Sequence, residues 1–212
     1  MSSVENPILF VFNFIGSLIC HQLPERTLWV GGHYLPVCAR DTGAYIGLFL
    51  GYMLLPLRKK DASGPPNLWI VSAMALPMII DAGTQWIGLR TSTNEIRLIT
   101  GLFFGVSLAP LLVYLLSMVA ASRDVPVLRK FLPTTAELDS KSHWIDNKSL
   151  GIGSLIAILT FLIITFVTGS TNPLSYWSLS SVIIVSVIWH LAILPISLVA
   201  FLFISLKRRF FR

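Results

Sequence analysis

The sequence predicts an all-α fold: a polytopic transmembrane helical bundle of about six spans, N-in and C-in. Three observations carry this expectation. Of the 212 residues, 54% are hydrophobic and only 12% are charged, about half the charged share (about 25%) of a soluble domain. Mean hydropathy is strongly positive at +0.75. The apolar residues gather in long runs rather than in the short alternating segments of a membrane β-barrel. Together these exclude a soluble enzyme, a disordered chain and a free nucleic-acid binder. Lipid offers the backbone no hydrogen bonds, so helices are the spanning element.

A span needs roughly 20 mainly apolar residues. Six stretches qualify or nearly so: 7–22, 43–57, 67–89, 96–121, 149–168 and 180–206. The first two are short and need shelter from neighbours or a locally thinned bilayer. The N-terminal MSSVEN lacks the basic region of a signal peptide, so the first span is expected to be retained. Pro77, Pro110 and Pro195 lie inside spans and should kink them. Gly43, Gly47 and Gly51 recur at spacing four in the second span, and Gly101 and Gly105 in the fourth. Small residues at that spacing let helices approach closely.

Orientation follows from the basic residues. With the N-terminus inside, the inner segments hold Arg58, Lys59, Lys60, Arg123, Arg129, Lys130, Lys141, Lys148, Lys207, Arg208, Arg209 and Arg212, twelve of the sixteen Lys and Arg. The outer segments keep only Arg26, Arg40, Arg90 and Arg97. The formal charge of +6 is then a topology signal and a contact with anionic lipid. The chain reads as one membrane domain, 1–212. Residues 1–121 form four site-bearing helices, 122–148 a cytoplasmic loop, and 149–212 two bracing helices. Within that loop VPVLRKFLP is either a solvated connector or a turn or two lying along the interface. The expected place is the inner (cytoplasmic) cell membrane, crossed several times.

The polar residues converge on the outer side. Glu25, Asp41, Asp81 and Glu95 are the acids there, in the same segments as the four outer arginines. Both cysteines, Cys20 and Cys38, lie in the first outer segment with His21 and His33. Asn13, Ser17, Cys20, His21 and Pro24 share one helical stripe, which should face protein or water rather than lipid. Asp81 and Gln85 are i and i+4, on one face of the third helix. Asp81 sits about 13 Å below Arg90 along that helix. A buried acid there costs about 2.5–3.5 kcal/mol on insertion scales and needs a partner. Arg97 or Arg40 is the expected one.

These residues resemble the domain-of-unknown-function family 2085 of small prokaryotic membrane proteins. The resemblance rests on Cys20-His21 with Pro24-Glu25-Arg26, on Pro36 and Cys38-Ala39-Arg40 with Thr42-Gly43 and Tyr45, on Asp81 with Gln85, and on Arg97 with Thr100-Gly101. It covers residues 15–110 and implies a membrane fold but no activity. In many relatives a further Cys follows the Arg; here Asp41 stands there, able to act as a carboxylate ligand.

Several chemistries fit these residues. Cys20, His21, His33, Cys38 and Asp41 offer a ligand set for zinc or another divalent transition metal. Alternatively Cys20 and Cys38 form a disulfide, structural or redox-active, on an oxidising side. A small membrane carrier or channel is a further reading, with Asn13, Asp81, Gln85 and His190 along a path. An assembly or scaffold protein is another. The favoured reading is an outward-facing polar pocket that binds, with processing left open, an anionic lipid-linked or amphipathic substrate. Asp81, Arg97, Arg40 and Gln85 are the candidate catalytic group, so whether the protein is an enzyme stays open. Arg40, Arg90, Arg97, Glu25 and Arg26 are the candidate substrate contacts, because planar guanidiniums suit phosphate and carboxylate. The implied partners are the lipid bilayer and that anionic small molecule, with a homo-oligomer left open and no nucleic acid.

Overall fold

A computed structural model of the chain describes residues 6–58, 67–121 and 147–210. Six α-helices stand among them, one at each expected stretch: α1 Pro7–Ser17, α2 Ala39–Arg58, α3 Leu68–Trp86, α4 Asn94–Ala121, α5 Asn147–Val167 and α6 Pro173–Phe210. The protein is a helical membrane bundle. Residues 122–146 of the expected cytoplasmic loop, its VPVLRKFLP included, lie outside the described residues, as do Lys59 and Lys60.

Leu68–Trp86, Asn94–Leu112 and Pro173–Ala192 are long and apolar enough to cross a membrane. Pro7–Ser17 and Gly151–Val167 are shorter apolar helices. Large apolar side chains face outward, among them Trp69, Ile79, Ile80, Trp86 and Phe166, as a lipid-facing surface requires and a water-facing one avoids.

The two largest boundary shifts each have a local reason. The first span, expected over 7–22, is helical only to Ser17. There the chain turns, with Gln22 at φ +54°, and eleven residues reach only about 16 Å. The last helix begins at Pro173 rather than near 180. Proline suits a first helical turn, and the Asn172 side chain caps it by accepting the Leu174 N–H at 3.0 Å.

The segment between α1 and α2, expected as an open outer loop, is a packed cap. It holds a 3-10 turn, Pro24–Arg26, and a hairpin of β1 Trp29–Val30 and β2 His33–Tyr34. Trp29 pairs with Tyr34 and Val30 with His33. Gly31 and Gly32 make the two-residue turn at φ +59° and +84°, the left-handed pair such a turn demands. Leu28, Val30, Leu35 and Val37 are buried in the main core with Leu98, Leu102 and Val106 of α4 and Tyr176, Ile183 and Val187 of α6. The hairpin is also tied to the α5–α6 joint. The Gly31 N–H donates to the Ser170 carbonyl at 2.7 Å, and the Gly169 N–H to that of Trp29 at 2.8 Å.

The closest helix contact is between α2 and α4. A Cβ built on Gly43 would stand 2.3 Å from the Leu98 carbonyl oxygen, on Gly47 2.4 Å from that of Leu102, on Gly101 2.3 Å from that of Arg40, and on Gly105 2.2 Å from that of Ala44. No side chain fits at those distances, so backbone touches backbone. Gly43 faces Gly101, Gly47 faces Gly105 and Gly51 faces Ala109. Both numbers rise together, so the helices are parallel and begin at the same end, hereafter the site end. Helix α3 returns antiparallel to α4 across the short joint 87–93.

Gly101→Ala and Gly47→Ala should each cost about 1–3 kcal/mol, the usual range for overpacking, read as a lower melting temperature in detergent. Gly83→Ala, where the new methyl meets nothing within 4 Å, should leave it unchanged or raise it. An unchanged melting temperature for Gly101→Ala would contradict the seam.

Candidate functional site

The start of α2 carries Arg40 and Asp41, and the start of α4 carries Glu95 and Arg97. Cys38 caps α2: its carbonyl accepts the Thr42 N–H at 2.8 Å. Thr93 caps α4: its hydroxyl accepts the Ile96 N–H at 3.4 Å and its carbonyl the Arg97 N–H at 3.1 Å. Because the helices are parallel, two N-terminal ends stand side by side, each with a partial positive charge.

Asp81 is the buried carboxylate expected from the sequence, 1% exposed on a helix whose other buried residue is Val71. Arg40 and Arg90 both pair with it, one on each oxygen. Arg40 also donates to Gln85 Oε1 at 3.0 Å, and the Arg90 Nε–H to the Thr84 hydroxyl at 3.1 Å. Arg40 is thus one of the two expected partners of Asp81. The other partner is Arg90, which reaches back along the helix end in place of Arg97.

Arg97 is buried, 6% exposed, and makes no ion pair among the described residues. It donates to Asn94 Oδ1 at 2.9 Å, while its Nε has no partner, and neither does that of Arg40. Arg26 and Arg40 are near enough to repel it, and Asp81 to attract it. Glu25 and Glu95 are exposed. Glu25 meets the site through its backbone, accepting from Asn94 Nδ2 at 3.4 Å. The matched set of four acids and four arginines therefore leaves one guanidinium buried without a carboxylate.

Beside it lies a second cluster. Sγ of Cys20, Sγ of Cys38 and a carboxylate oxygen of Asp41 lie within 4.8 Å of one another. The cysteines are unbonded. The Cys38 thiol donates to Asp41 Oδ2 at 2.8 Å, from the residue before α2 to the third residue within it. Sγ of Cys20 accepts the Cys38 N–H at 3.2 Å and the Gln22 N–H at 3.5 Å. The neighbouring Cys38 thiol, helped by these amides, holds the Cys20 thiol below its ordinary range. The nearby Cys20 sulfur pushes Cys38 up, followed by burial and the Asp41 charge.

Of the other expected ligands, His21 is exposed and outside this cluster. His33 sits on the hairpin with its ring 5.1 Å from Tyr176. His190 is buried in α6 against Tyr45 and Tyr52, its Nδ1–H donating to the Ser186 carbonyl at 2.5 Å.

The positioning residue that sequence reasoning missed is Gln22. Its Nε2 donates to the carbonyls of Asn13 at 2.8 Å and Pro36 at 2.7 Å, which clips α1, the Cys20 turn and the segment leading to Cys38 together. No spacing signals such a clip, because both acceptors are backbone atoms brought close by the fold. The hairpin did have a signal in Gly31-Gly32 between two β-prone pairs.

Asp81→Asn should destabilise by about 3–5 kcal/mol, because it leaves the half-buried Arg40 without its carboxylate. Arg90→Gln, at a side chain 41% exposed, should cost about 0–1 kcal/mol. Thermal unfolding of the two variants decides; equal shifts would contradict a role for the Asp81 charge.

A family model described as "Predicted membrane protein (DUF2085)" matches residues 20–111, the stretch from Cys20 through the arginine cluster into α4. An uncharacterised protein of Methanocaldococcus jannaschii is 47% identical over 90 residues, 42% of this chain and 58% of that protein. An uncharacterised protein of Methanothermobacter thermautotrophicus is 41% identical over 96 residues, 44% of this chain and 83% of that protein. No solved structure matches. The shared part is the part that builds the site, and on it the chain belongs to the DUF2085 family of predicted membrane proteins.

Proposed function

We propose that the protein is a multi-pass protein of the cell membrane, with both termini cytoplasmic, whose site end faces outward and binds an anionic headgroup. The ligand is a phosphate- or carboxylate-bearing amphiphile, free or lipid-linked. One observation carries this reading: Arg97 is buried at two helix N-termini without a carboxylate partner. A buried cation costs several kcal/mol unless paired. An anion entering beside it supplies the missing charge and accepts from the free Nε groups of Arg97 and Arg40, and helix N-termini favour anions for the same reason.

The surroundings suit an amphiphile. Trp29, Tyr34, Trp86, Ile87 and Leu89 are exposed around this end, the residue types that settle at a membrane interface. An acyl chain can lie along them while the headgroup reaches Arg97. Arg26 and Arg90 supply further charge at the rim, and Asp81 with Gln85 holds Arg40 in place. Twelve basic residues in the segments at the opposite side of the membrane support the orientation.

Binding of dioctanoyl phosphatidylglycerol to the purified protein, against dioctanoyl phosphatidylcholine, tests the reading. The anionic lipid should bind at least tenfold more tightly, about 1.4 kcal/mol, an advantage that salt reduces only in part because a buried pair is screened less than an exposed one. Arg97→Gln should abolish the preference and Arg97→Lys keep part of it, while Lys207→Gln leaves it unchanged. Equal affinity for the two headgroups, or a preference that survives in a folded Arg97→Gln variant, would overturn it.

A further inference from the structure

We propose that Cys20, Cys38 and Asp41 form a three-donor site for a thiophilic divalent cation of the zinc class, with a fourth position open to water or to the anion held at Arg97. This goes beyond anion binding and stands on separate residues. Three donors from two segments, eighteen residues apart, bring their ligand atoms within 4.8 Å of one another. Tetrahedral zinc, with Zn–S near 2.3 Å and Zn–O near 2.1 Å, separates ligand atoms by about 3.5–3.8 Å. An inward movement of about 1 Å closes the set.

The surroundings are those of a held thiolate pair. Two backbone amides point at Sγ of Cys20, and amide donors of this kind stabilise and orient a metal-bound thiolate. The Cys38 thiol already shares its proton with Asp41, so a cation replaces a hydrogen bond that joins the same atoms. Gln22 stands at φ +54° with its side-chain amide bonded to two carbonyls, which tie the turn down. A non-glycine residue held in that region beside reactive side chains is typical of functional sites. A disulfide would use the two sulfurs but would leave Asp41 unexplained.

Charge and protons balance. Two neutral thiols and one carboxylate carry −1. Binding one M2+ releases two protons to solvent, and the resulting complex of two thiolates, one carboxylate and the cation again carries −1. Neither His21 nor His33 completes a closed four-donor site here, and three protein donors with a free position is the arrangement of catalytic rather than structural zinc.

Titration of the reduced, metal-free full-length protein with cobalt(II) alone, followed by zinc(II) competition, tests this. One equivalent of cobalt per chain should give thiolate-to-cobalt charge-transfer absorption in the near ultraviolet, and zinc should displace it. Cys20→Ser or Cys38→Ser should abolish the band, and Asp41→Asn should weaken binding at least tenfold. Gln22→Ala should weaken it about 10–100-fold, the usual effect of removing an orienting partner. His21→Ala, His33→Ala and Arg97→Gln should bind as the parent does, which separates this site from the anion site. No charge-transfer band, or loss of it in His33→Ala, would overturn the proposal. So would protein isolated without reductant that has no metal and no free thiols, since the pair would then be a disulfide.

Discussion

Everything at the site end depends on the contact between α2 and α4. Four glycines remove the side chains that would hold the two backbones apart, and the carbonyls of Arg40, Ala44, Leu98 and Leu102 fill the space. Lipid offers no hydrophobic drive for helices to associate, so close packing of this kind is what holds a membrane bundle. Its parallel sense decides the chemistry. Antiparallel helices would put one N-terminus at each end of the bundle; these put both at one end, where Arg40 and Arg97 begin the two helices.

That arrangement concentrates positive charge in a place where charge is expensive, and the rest of the site answers it. Asp81, rising from α3, neutralises Arg40 and draws Arg90 back over the helix end. The cap from Pro24 to Val37 seals the bundle with Leu28, Val30, Leu35 and Val37 and anchors to the α5–α6 joint. Gln22 fixes that cap to α1 and places Cys20 against Cys38. What is left after these compensations is Arg97, a buried guanidinium without an acid, and a cluster of two thiols and a carboxylate beside it. The first is complementary to an anion and the second to a cation.

Much of this was legible in the sequence, for identifiable reasons. Helices are repetitive, so composition and run length located all six, and the glycine spacing in the second and fourth spans already pointed to their contact. The cost of a buried Asp81 required a basic partner, and Arg40 is one. The misses share a different cause. The distance of Arg90 along α3 hides how far its guanidinium reaches back. The cap resembles a loop in sequence, because its buried residues come in a short mixed run without period, although Gly31-Gly32 marks its turn. Gln22 acts on backbone carbonyls, which carry no residue identity to read. His21 and His33 are near the cysteines in sequence only, and the hairpin carries His33 toward Tyr176.

The parallel seam is the most exposed point of the account, and cysteine cross-linking reaches it directly. In a Cys20→Ser, Cys38→Ser background, Gly51→Cys combined with Ala109→Cys places two Cβ atoms in contact, within reach of a disulfide, which needs them about 3.5–4.5 Å apart. Gly51→Cys combined with Leu98→Cys places them at opposite ends of the contact. Mild oxidation in native membranes should link the first pair and leave the second free. Linkage of the second pair without the first would mean that α2 and α4 do not start together, and the clustered helix ends and arginines would go with it.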